Sequence, residues 1–116
     1  MKVASLFKDL SFIGQIEGDR RTYYVFKGMD YLLVSANGRD GFNVNVVDQE
    51  VPEVIKKKFA GKRVTGRMLA DQARRPDLFS PGFSSLNALY VAGALGLAKK
   101  LVKKQGRAMV FKIKGR

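Results

Sequence analysis

The side chains with the most chemistry to offer are cations, and they crowd into one half of the chain. Residues 61–116 hold 13 Lys and Arg against 2 acids, Asp71 and Asp77, whereas residues 1–60 hold 9 against 8. An even scatter of charge would serve solubility alone. A net charge of +11 in one half concentrates a positive field, the footprint of a surface that meets phosphates. The alternative is a merely solvated basic face, and the near absence of acids speaks against it.

Catalytic chemistry has little to work with. The 116 residues contain no Cys and no His, so thiolate nucleophiles, disulfides and the commonest general base and metal ligand are absent. A metal-dependent nuclease needs two or three carboxylates with a lysine at short spacing. The available acids are Asp30, Asp40, Asp48 and Glu50, and their positions suit turns and a helix start. Gly61-Lys62 lacks the upstream glycine of a phosphate-binding loop. No catalytic, metal or cofactor site is assigned. Tyr23, Tyr24, Phe26, Tyr31 and Phe42 make the N-terminal half aromatic-rich. Such residues either stack single-stranded bases or fill a core, and we read Phe26 and Phe42 as core. The near-neutral charge of this half marks it as a scaffold or partner-binding face.

The elements that must position the cations follow from local signals. The apolar fraction of 46% and charged fraction of 28% are those of a folded protein. Residues 4–10 suit one or two helical turns, with Leu6, Phe7 and Leu10 on the apolar side. Strand signals then cover 12–16, 22–26, 31–36 and 42–46, separated by Gly18-Asp19, Gly28 and the run from Asn37 to Gly41. Strict alternation predicts that Phe42, Val44 and Val46 face inward. Short connections predict an antiparallel meander. From Asp48 the signals turn helical. Pro52 and the flanking acids open a helix that ends on Lys56, Lys57 and Lys58 before Gly61. Thr65 caps a second, which Pro76 ends. Ser84 or Ser85 caps a third, with Leu86, Leu89, Tyr90, Gly93 and Leu97 on one face. Strand-like runs at 100–104 and 108–113 flank the turn Gln105-Gly106-Arg107.

Helix, helix, loop, helix and hairpin follow one another here. The stretch from Ser84 to Tyr90, the corner Gly96-Leu97-Ala98-Lys99-Lys100 and the run Gly106-Arg107-Ala108-Met109-Val110-Phe111 resemble the recognition helix and wing of the winged helix-turn-helix superfamily. The resemblance covers residues 51–114, about half the chain, and nothing in residues 1–50 takes part. It implies DNA binding, with the third helix in the major groove and the wing on backbone or minor groove. Carried over by position, the helix presents Ser84, Ser85, Asn87, Ala88 and Val91. The wing presents Lys103, Lys104, Arg107 and Lys112, with Lys99 and Lys100 at its base, and Arg74 and Arg75 flank the duplex backbone.

The third helix departs from that pattern, because Ala88, Val91, Ala92 and Leu95 give its outer face no charge. Either this face touches thymine methyls, or it is buried against the N-terminal sheet or a second copy. Exposure of Val91 and Leu95 decides between them. We therefore expect an α+β protein, with a β-meander over 1–50 packed with a winged-helix-like unit over 51–116. The expected function is non-catalytic binding of duplex DNA. The alternatives are RNA binding and a protein-interaction module that docks a partner, or a homodimer mate, through the third helix. No run nears the ~20 apolar residues of a membrane span, the first ten residues lack the apolar core of a signal peptide, and the expected location is cytoplasmic.

Overall fold

The computed structural model describes residues 10–18, 20–38, 41–79 and 83–115. Four strands come first: β1 (Ser11–Glu17), β2 (Thr22–Lys27), β3 (Tyr31–Gly38) and β4 (Gly41–Asp48). They pair in chain order as an antiparallel meander. Their aromatic and β-branched content suits a pleated surface. The Gly28 N–H donates to the Tyr31 carbonyl (2.9 Å) to close the β2–β3 turn. The expected helical turns at 4–10 lie, but for Leu10, outside the described residues.

The register decides which side faces the core. Val25 pairs with Val34, and Leu32 with Val47, and all four are buried. The opposite side carries Phe12, Tyr24, Phe26, Leu33 and Val44, which with Leu10 and Ser35 line an open groove of about 540 Å³. The expectation that Val44 and Val46 point inward is therefore reversed: Val46 is 61% exposed and Val47 is buried. Alternation correctly groups Val44 with Val46, but pairing with β3 sets the parity, and a shift of one residue flips a whole strand. Phe26 lies on this outer side as well, partly buried, while the Phe42 side chain lies outside the described residues.

Three helices and three short strands follow: α1 (Val51–Phe59), β5 (Arg63–Val64), α2 (Gly66–Gln72), α3 (Phe83–Ala94), β6 (Ala98–Lys100) and β7 (Phe111–Ile113). Pro52 sits in the first turn of α1 and Lys56, Lys57 and Lys58 in its last, where cations favour the negative end of the dipole. Thr65 caps α2, its hydroxyl accepting from the Met68 N–H (3.3 Å). The end of α3 is a Schellman motif. Leu97 N–H donates to the Ala92 carbonyl (2.9 Å) and Gly96 N–H to that of Gly93 (3.1 Å), with Gly96 at φ 78°. That left-handed glycine reverses the chain directly into β6.

One apolar cluster spans both halves, from Val25 and Val34 through Leu89 and Tyr90 to Phe111 and Ile113. Its centre is α3, which touches all four strands of the meander on one side and α1, α2 and β6 on the other. The Tyr90 ring stacks on Tyr23 at 3.9 Å and meets the edge of Phe111 at 6.3 Å, so one side chain joins the two sheets. Approach is close where α3 crosses β1: a Cβ on Gly93 would lie 2.2 Å from Ile16 Cδ1. The result is an α+β fold with a helix for its middle layer. Among the described residues no helix is long and apolar enough to cross a membrane.

Candidate functional site

The second sheet is built to turn cations outward. Its order is β5-β7-β6, so β7 is central. Along β7, Phe111 and Ile113 are buried and Lys112 is exposed between them, the period-two pattern of a strand covered on one side. Register then fixes the neighbours. Arg63 of β5 and Lys99 of β6 both pair with Lys112. Residues directly opposite one another share a face, so Arg63, Lys112 and Lys99 form one exposed row about 10 Å long at the usual strand spacing. The Lys112 ammonium donates to the Gly61 carbonyl at 2.7 Å and stays exposed. Among the described residues, none of these three cations forms an ion pair with a carboxylate.

Like charges directly opposite on a sheet repel. A fold indifferent to this row would interleave acids, yet no acid follows Asp77 in the sequence. What the row does well is offer N–H donors and positive potential to a line of anionic oxygens. Lys62 and Lys114, beside it, are exposed too.

Beyond Lys100 the hairpin continues past the end of the ladder. Leu101 N–H donates to the Val110 carbonyl (2.8 Å), and Gln105 and Ala108 exchange both hydrogen bonds at 3.0 Å around Gly106 and Arg107. Between these two points Val102, Lys103 and Lys104 face the single residue Met109. The strands expected at 100–104 and 108–113 are thus shorter than anticipated, because this bulge interrupts the ladder. Lys103, Lys104 and Arg107 are exposed around the tip, as is Val102.

The other anticipated residues divide. Lys100 pairs with Phe111 on the inward-facing side and is half-buried. Arg74 is exposed in the segment after α2, at φ 56°, a left-handed conformation costly for a residue with a Cβ. Arg75 is engaged within the chain. Its guanidinium grips Glu50 (3.0 Å, both nitrogens) and Asp77 (3.0 and 2.8 Å), tying the start of α1 to the segment after α2. These bonds hold the Glu50 and Asp77 carboxyls below their ordinary range and raise the guanidinium above its own. With its fork filled by two carboxylates, Arg75 does not belong with the open cations.

The third helix requires the largest correction. Ser85 is 0% exposed and Asn87 2%, and Ala88, Val91 and Ala92 are wholly buried. They cannot be presented to a duplex. The physical reason is that a helix apolar all round is a helix covered all round: α3 lies between the meander and the layer of α1, α2 and β6. Leu95, at 37%, is the partly open end of that face. A partner docking on the Val91 side is ruled out by the same cover. Ser84 lies in the first turn of α3, with its side chain outside the described residues.

Arg63 was invisible to sequence reasoning, because a two-residue strand has no periodicity. The only local hint was the order Lys62-Arg63-Val64 between a glycine and a helix cap. Of the acids weighed for metal chemistry, Asp48 accepts the Glu50 N–H (2.8 Å) and Glu50 holds Arg75. Among the described residues no group of three or more acids is placed to hold a metal ion. Compared with known protein families, curated proteins and solved structures, the chain matches none.

Proposed function

We propose that this chain is a cytoplasmic, non-catalytic protein that binds nucleic acid, duplex DNA above all, through the outer face of its three-stranded sheet and the wing beyond it. The observation that carries the reading is the in-register row Arg63–Lys112–Lys99, exposed and carrying no carboxylate partner among the described residues. Lys103, Lys104 and Arg107 extend it along the hairpin. The element order supports kinship with winged helices: three helices, a short strand after the first, and a closing hairpin whose last strand lies between the other two. Lys and Arg at such a surface release counterions from DNA by proximity alone, so no base-reading geometry is needed for affinity.

The test is a titration of a 24-base-pair duplex at several salt concentrations. About 4–8 phosphate contacts predict a log–log slope of roughly −4 to −7. Affinity independent of salt, or no binding at low salt, refutes the reading.

A further inference from the structure

Resting on that reading, we infer that the chain grips double-stranded DNA by its backbone alone and does not select a sequence. Reading a sequence requires side chains that reach base edges, and these come from an element lying in a groove. The helix placed to do so in this topology is the middle layer of the fold. Asn87, its one residue of the kind that pairs with adenine, is 2% exposed, and Val91 is 0% exposed. Freeing them would mean taking apart the core of which α3 is the middle layer. The exposed face offers mainly lysine and arginine along the row and wing, with Gln105 at the hairpin tip its one amide, and lysine and arginine suit phosphates at any sequence.

The same face argues for duplex over single strands. Single-strand binders stack bases on exposed aromatic rings. Here Tyr90 and Phe111 lie in the core behind the sheet, while the partly open Tyr24, Phe26 and Phe12 line the groove on the far side of the meander. The cationic face is therefore a charged platform without a stacking surface.

The experiment compares the intact protein on three duplexes of equal length, A·T-rich, G·C-rich and mixed, and on one matching single strand, all at one salt concentration. The expected result is duplex affinities within about threefold of one another, with the single strand at least ~10-fold weaker. A duplex bound more than about 30-fold tighter than the others overturns the inference, as does a single strand bound as tightly as duplex, and both leave the function of the cationic face standing. Absence of binding to all four at low salt overturns the proposed function, and this inference with it.

Discussion

Replacing Arg63, Lys99 and Lys112 together by Ala removes the whole cross-strand row while leaving Phe111 and Ile113 in the core. Each phosphate contact releases about 0.9 counterion, so three lost contacts flatten the log–log salt slope by about 2.7. Between 50 and 200 mM salt each contact accounts for about a 3.5-fold change, so the parent loses roughly 40-fold more affinity than the variant over that range. At 0.15 M the same relation gives a deficit of about 150-fold, or ~3 kcal/mol, that shrinks towards nothing near 1 M. Thermal stability moves the other way or not at all, because removing like charges from directly opposed positions relieves repulsion. Fluorescence anisotropy on a labelled duplex reads the slopes, and a melting curve reads the fold. An unchanged slope refutes the assignment of the row. So does a loss equal at all salt concentrations, since that would mean the row acts by packing rather than charge.

The wing gives a parallel case: Lys103→Ala, Lys104→Ala and Arg107→Ala combined flatten the slope by about 2–3 with no fall in melting temperature, and parent-like binding would make the tip a solvated surface. Arg75→Met acts on acid stability. Glu50 and Asp77 have lowered folded-state values, so their contribution is present above their ordinary values of 4.5 and 3.8 and is lost as pH falls through the folded ones. Melting temperatures measured from pH 6 down to about 2 should fall less steeply in the variant, and identical acid limbs would show that the bidentate grip contributes nothing. Asn87→Ala should shift stability by less than about 1 kcal/mol, since its side-chain oxygen is buried without a hydrogen-bond partner among the described residues and removing it offsets the lost packing. It should leave relative affinities for different duplexes unchanged, and a changed preference would reinstate base reading. Tyr90→Ala should cost about 3–5 kcal/mol, with both sheets melting in one denaturant transition; separate transitions would show that the two halves do not share a core.

What the sequence made legible was local. Aromatic and β-branched runs between glycines marked the meander, Thr65 marked its helix, and Gln105-Gly106-Arg107 marked the hairpin end. Non-local facts stayed hidden. The inward side of β4 depends on pairing Val47 with Leu32, which alternation within β4 cannot express. The partners of Arg75 stand 25 residues away at Glu50 and two away at Asp77, so a cation that looks free in the sequence is bound in the fold. The row Arg63–Lys112–Lys99 joins residues from three strands and exists only as register. The uncharged outer face of α3 was the most informative signal. It allowed contact with thymine methyls or burial, and nothing in residues 84–95 alone distinguishes the two, because the cover comes from other elements, the meander on one side and α1, α2 and β6 on the other.

The place of α3 as the middle layer also sets an order of events during synthesis. The meander is complete at Asp48, but the helix that covers its inner side ends only at Ala94. At about 5–20 residues per second, the intervening stretch takes roughly 2–9 s to translate. Throughout that interval Val25, Leu32, Val34 and Val47 lack α3, and the seat for Gly93 beside Ile16 stands empty. The nascent sheet is then apolar on both sides, the kind of transiently exposed surface that invites aggregation, until the arrival of one helix covers its inner side.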